Sequence, residues 1–165
     1  MGRGLSFPWF AMIEGDALNK LIPHGGKMCL LDKVVEWDDS TIHCETRSHL
    51  DSSNPLWRNE KLSSDTGIEY AAQAIAVHGS LISEAPLTSM QQSYLAAVRD
   101  VKFEVNWLHD IDHPLTIRAE RLIGDQHGLI YRFSLHAMSR LLLEGRLTVM
   151  MSSQEHHKLN QQVKR

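Results

Sequence analysis

Thr66-Gly67-Ile68-Glu69-Tyr70-Ala71-Ala72-Gln73-Ala74-Ile75-Ala76-Val77-His78-Gly79-Ser80-Leu81-Ile82 is the one stretch of this sequence that reads as a long helix. Ile68, Ala72, Ile75, Gly79 and Ile82 recur at spacings of three and four, the period of one buried helix face. The stretch is rich in small residues (Ala71, Ala72, Ala74, Ala76 and Gly79), which let another backbone approach closely. A helix embraced by a curved sheet needs that property. Its start also carries a capping box: in Thr66-x-x-Glu69, the glutamate can bond back to the first free amide.

Strands follow outward in both directions. Downstream, Val101–Trp107, Leu115–Glu120, Leu129–Met138 and Leu143–Met151 alternate apolar and polar residues, the period of a strand with one buried face. Gly124–Gly128 and Ser139-Arg140 read as turns between them. Upstream, Met28–Trp37 reads as a buried strand and Thr41–Ser48 as its hairpin partner across Asp38-Asp39-Ser40. The segment from His49 to Asp65 is a long polar loop, a length that often serves function. Asp16–Ile22 reads as one or two helical turns capped by Asp16, ended by Pro23-His24-Gly25-Gly26. This order predicts an α+β fold, a long central helix wrapped by a curved antiparallel sheet of about six strands. The expected organisation is an N-terminal arm over 1–16, one domain over 17–152 and a polar tail over 153–165.

The bulk numbers agree with one globular domain. The chain has 165 residues, 42% hydrophobic and 22% charged, with a formal net charge of −3. Nucleic acid is not an expected partner, because phosphate binding requires a basic surplus or stripe. No stretch approaches the roughly 18 apolar residues of a membrane span. Cys29 and Cys44 belong to no CxxC pair and read as buried thiols in a reducing cytoplasm.

Three stretches resemble the bacterial β-hydroxyacyl-ACP dehydratases, the FabZ/FabA group of hot-dog-fold proteins. Pro23-His24-Gly25-Gly26-Lys27-Met28-Cys29-Leu30-Leu31-Asp32-Lys33-Val34 is similar to the family's lead-in segment. Gly67-Ile68-Glu69-Tyr70-Ala71-Ala72-Gln73-Ala74 is similar to its helix start, an acidic residue followed by an Ala-Gln pair. Tyr94–Trp107 resembles the strand after the helix. The second stretch is the most specific, and it looks most like the branch of dehydratases associated with aryl-polyene synthesis. The likeness spans about residues 17–152. One departure stands out. Where the family carries His-Phe-Pro-Gly around its catalytic histidine, this chain reads His49-Leu50-Asp51-Ser52.

The resemblance implies dehydration of 3-hydroxyacyl thioesters, carried on acyl carrier protein or CoA, with no cofactor and no metal. It implies Glu69 and His49 as the catalytic pair, one from each subunit of a homodimer or of a heterodimer with another hot-dog subunit. A base removes the α-proton and an acid protonates the leaving hydroxyl. Burial in an apolar tunnel keeps a carboxyl protonated for the second task. Gly67, Ile68 and Gln73 are the expected substrate-binding residues, with the backbone amides of the helix start meeting the charge that gathers on the thioester oxygen.

Other readings compete residue by residue. Glu69 serves equally as a capping-box residue, His49 as a loop anchor, and Gln73 as an internal helix bond. His24 reads as structural. His109-Asp110-Ile111-Asp112-His113 has metal-like spacing but reads as a solvated turn, lacking a further ligand set. Arg99, Lys102, Arg118, Arg121 and Arg132 read either as a carrier-docking patch or as a solvated strand face, and the aromatic strand residues read as core. At the level of function, a hot-dog thioesterase and a non-catalytic subunit supporting an active paralogue are the alternatives.

Overall fold

A computed structural model describes residues 12–22, 26–83, 93–125 and 127–151. His24, most of the N-terminal arm and the C-terminal tail lie outside the described residues. The strands are β1 (Ile13–Glu14), β2 (Lys33–Trp37), β3 (Thr41–Thr46), β4 (Ser93–Phe103), β5 (Leu115–Gly124), β6 (Gly128–Ala137) and β7 (Arg140–Met151). The helices are a short α1 (Gly15–Asn19) and the long α2 (Gly67–Ile82). All seven strands form one antiparallel sheet in the order β1-β2-β3-β5-β6-β7-β4. The expected count of about six misses β1, whose two residues pair with Val34 and Lys33 of β2 although they lie in the segment read as an arm.

Period-two alternation holds where α2 covers the sheet. Leu115, Ile117 and Ala119 on β5, Tyr131, Phe133 and Leu135 on β6, and Leu143 and Leu147 on β7 are buried. Helix α2 packs on β3, β5 and β6. The face it presents differs from the one expected. Of the expected face Ile75 is buried, whereas Ile68, Ala72, Gly79 and Ile82 are only half-buried, and Gly67, Tyr70, Ala71, Ala74, Val77 and His78 are buried beside it. Tyr70 and His78 are not on the apolar face that the spacing predicts. They lie inside because their polar atoms are satisfied: His78 Nδ1 meets the Tyr131 hydroxyl at 2.8 Å and Nε2 meets the Asp38 carbonyl at 2.8 Å. Since the carbonyl only accepts, Nε2 carries the proton and Nδ1 accepts from the tyrosine.

Three further expectations are corrected. Met28–Leu31 is not strand: Gly26, at φ +67°, opens a 3-10 turn over Gly26–Met28, and the strand begins only at Lys33. The helix turns around Asp16 lack a side-chain cap, with Glu14 at the N-cap position. Phe103 and Trp107 are not core, at 45% and 37% exposed. They belong to or follow β4, the sheet edge, which pairs only with β7 among the described strands.

Candidate active site

The first turn of α2 grows from a 3-10 turn, Ser64–Thr66, that runs directly into the helix. Thr66 therefore has helical backbone angles (φ −61°, ψ −20°) and makes no side-chain cap. Its hydroxyl donates instead to the Ser63 carbonyl at 2.6 Å. The capping box does not form, which removes the structural explanation for Glu69. That carboxylate is half-buried, and Oε1 accepts a 3.3 Å hydrogen bond from Gln73 Nε2, one turn on.

Gln73 is almost wholly spent on the backbone. Oε1 accepts from the Leu30 amide at 2.9 Å and Nε2 donates to the Met28 carbonyl at 2.6 Å. This explains why residues 28–30 leave the sheet: a side chain from α2 takes the groups that a ladder would use. Of the two readings of Gln73, bonding within the helix accounts only for the weaker contact to Glu69. Ile68 packs half-buried against the core. Gly67 is buried, and a Cβ there would stand 2.9 Å from both methyl carbons of Leu143. Its amide faces the Ser64 and Asp65 carbonyls, so it is already engaged in this chain.

His49 lies in the 3-10 turn Ser48–Leu50 that follows β3, with no exposed surface. Nε2 lies 2.8 Å from the Ile111 carbonyl and must donate to it, while Nδ1 is buried with no hydrogen-bond partner. Burial pushes the imidazole below its ordinary pKa, against the opposing pull of the backbone at Ile111 and, more weakly, at His113. The ring is thus neutral, with Nε2 carrying the proton toward Ile111 and Nδ1 left without a partner in hydrogen-bond geometry. Among the described residues no hydrogen bond joins His49 to Glu69 within the chain.

What joins their two turns is a set of residues that sequence reasoning missed. The Tyr70 hydroxyl lies 3.0 Å from Ser48 Oγ and 2.9 Å from Asn54 Nδ2. Asn54 Nδ2 also donates to the Ser48 carbonyl, and Ser48 Oγ donates to the Leu30 carbonyl at 2.6 Å. Position was the sole sequence signal: Ser48 and Tyr70 adjoin His49 and Glu69.

The segment with metal-like spacing is more than a solvated turn. His109 sits between Trp57 and Trp107, ring centroids 5.5 and 5.8 Å away, and its Nδ1 accepts the Leu62 amide at 3.0 Å. No metal-binding group of three or more ligating side chains occurs among the described residues. Beside this segment runs a cleft of about 310 Å³, lined among others by Val105, Trp107, Ile111 and Arg140. The thiol of Cys44 is buried and its pKa is pushed up to about 12 by that burial; Cys29 is half-buried.

One long helix on an antiparallel sheet is shared with solved structures of the hot-dog class. The chain is 23% identical to a chain of the dehydratase heterocomplex ApeI:P from Xenorhabdus doucetiae, with a TM-score of 0.72 over 90% of this chain and 97% of that one. It is 14% identical to thioesterase HI1161 from Haemophilus influenzae, with a TM-score of 0.62 over 88% and 94% of the two chains. A thioesterase from Pseudomonas aeruginosa, PA1618, matches at 14% identity and a TM-score of 0.55 over 72% and 78%. No curated protein matches the sequence. Residues 16–161 match the family described as ApeP dehydratase, and the chain belongs to this ApeP-like family. Family membership bears out a hot-dog dehydratase of the aryl-polyene branch, whose reaction removes water from a 3-hydroxyacyl thioester.

Proposed function

We propose that this chain dehydrates 3-hydroxyacyl thioesters as one half of a two-subunit hot-dog enzyme, with His49 as base and Glu69 as acid. The observation that carries the roles is the buried, unpartnered Nδ1 of His49. Leaving a buried polar atom unpaired costs about 1–3 kcal/mol, and such atoms need an explanation such as catalysis. With Nε2–H tied to Ile111, Nδ1 is the atom that accepts the substrate's α-proton. The electron pair of that C–H bond forms the new C=C, the C–O bond to the 3-hydroxyl breaks, and the Glu69 carboxyl group, as the acid, delivers a proton to the departing oxygen. Water leaves, and a proton passes from His49 back to Glu69 to close the cycle. Because Gly67's amide is engaged, the helix start favours the charge on the thioester oxygen through its dipole. Gln73 acts by orienting Glu69.

Two features favour a second subunit. Glu69, Ala72 and Ala76 share the half-buried side of α2 turned away from the sheet. Strand β4 exposes Tyr94, Leu95, Val98 and Phe103 along an edge that is unpaired among the described residues, a template for another strand. The similar heterocomplex from Xenorhabdus doucetiae supports another hot-dog chain as that partner. The carrier is acyl carrier protein or CoA. No described helix is long and apolar enough to cross a membrane. The two thiols suit a reducing cytoplasm.

The test is mass analysis of a 3-hydroxyacyl thioester, on carrier protein and on CoA, after incubation with the chain and its hot-dog partner. Loss of water is expected, and Glu69→Gln and His49→Ala each abolish it. Release of free acid would instead make the protein a thioesterase. The enclosure of His49 favours a second reading, a supporting subunit without chemistry of its own. Full activity of the pair carrying both substitutions would establish that reading.

A further inference from the structure

We propose that Tyr70 is a positioning residue for His49, clamping the turn that carries the histidine onto the helix that carries Glu69. The inference rests on the catalytic roles proposed above and adds the residue that sets their geometry. Proton accounting makes the clamp directional. Ser48 has one hydroxyl proton, which the 2.6 Å contact commits to the Leu30 carbonyl. Asn54 Nδ2 can only donate, so the Tyr70 oxygen accepts from it. Tyr70 then donates its own proton to Ser48 Oγ, and every member has its partner.

The clamp closes on itself. Gln73 holds the Leu30 amide, the Leu30 carbonyl holds Ser48, Ser48 holds Tyr70, and Tyr70 returns to α2 one turn before Gln73. Thr46 adds its hydroxyl to the same Leu30 carbonyl at 2.6 Å. The peptide entering His49 is gripped on both sides, through the Ser48 hydroxyl and through the Ser48 carbonyl held by Asn54 at 3.0 Å. Tyr70 has no exposed surface and Asn54 is 7% exposed, so water is a poor substitute for any of these bonds. A networked hydrogen bond in such surroundings fixes geometry more firmly than an isolated one. A histidine whose lone pair must meet an α-carbon needs that fixity, since a displacement of about 1 Å costs up to about 100-fold in rate. The charged groups around the ring are Arg47 and Asp32, and Tyr70→Phe touches neither.

The experiment compares wild type, Tyr70→Phe and Ser48→Ala, each assembled with the hot-dog partner. Turnover of a 3-hydroxyacyl thioester is measured against pH, and 15N spectra of the histidine rings follow the His49 tautomer. Tyr70→Phe is expected to lower kcat by about 10- to 100-fold with KM within about twofold. The acid limb of the pH profile should move up toward the ordinary histidine value, and the His49 resonances should shift from one fixed tautomer to an exchanging mixture. Ser48→Ala cuts the same link from the other end and should do the same, with the double variant no worse than either single one. A folded Tyr70→Phe protein with unchanged kcat, acid limb and His49 resonances would overturn the proposal. If Tyr70→Phe does not fold, the same outcome in Ser48→Ala overturns it instead. If wild type shows no water loss, the catalytic reading fails on its own, and the ring spectra still decide whether Tyr70 fixes His49.

Discussion

Gly67 and Gly79 lie on one helix for opposite reasons. A methyl group at 67 would meet both Leu143 methyls at 2.9 Å, whereas at 79 it would meet nothing within 4 Å. Crowding in a packed core costs about 1–3 kcal/mol, and alanine's better helix propensity returns about 1. Gly67→Ala should therefore lower the denaturant midpoint, and Gly79→Ala should raise that of the isolated chain; equal effects would remove the packing argument. The buried histidines set a pH dependence at this same scale. Burial lowers the pKa of both His49 and His78 below the ordinary 6.5. In acid the unfolded chain then binds more protons than the folded one, so protonation favours unfolding. Stability is fully present above 6.5 and falls as pH drops through that value toward the depressed folded pKa values. Urea titrations at about pH 8 and pH 5 should show the midpoint falling in acid, with a flat response arguing that the rings are solvated.

Helix α2 shows how sequence signals and geometry part company. A working capping box is worth about 1 kcal/mol. Here the 3-10 turn Ser64–Thr66 feeds the helix without one. Glu69→Ala should accordingly leave thermal stability within about 0.5 kcal/mol of wild type while removing dehydration, and a large loss of stability would restore the cap. The long helix, the hairpin of β2 and β3, and the buried faces of β5, β6 and β7 were legible, because period alone reveals them. The buried side of α2 was not, because the hydrogen bonds that admit Tyr70 and His78 come from Ser48, Asn54, Tyr131 and Asp38, distant in sequence. Residues 28–30 failed for a related reason: their apolar run reads as strand, yet Gln73, far along the chain, holds their backbone groups. At the candidate site, Glu69, His49 and Gln73 are expectations carried by resemblance alone. The link through Tyr70 was hidden, since a tyrosine hydroxyl declares no partner in a sequence.

At the scale of the molecule, the sheet is covered by α2 over its middle and, among the described residues, ends at β4. Leu95 and Val98 on β4 are 44% and 40% exposed, so a charge at either position is tolerated in the isolated chain but opposes strand addition. Leu95→Lys together with Val98→Lys should leave the circular dichroism spectrum and melting transition intact and abolish co-elution with the hot-dog partner in gel filtration. Continued co-elution would place the interface elsewhere. The order of this sheet also governs when the edge exists. Strand β4 follows α2 in the chain, yet its sheet neighbour is β7, the last described strand. During synthesis β4 leaves the ribosome well before β7, its one partner among the described strands. This edge thus matures late, and nascent chains carry an unfinished ribbon that a chaperone, or another nascent copy, can reach before β7 does.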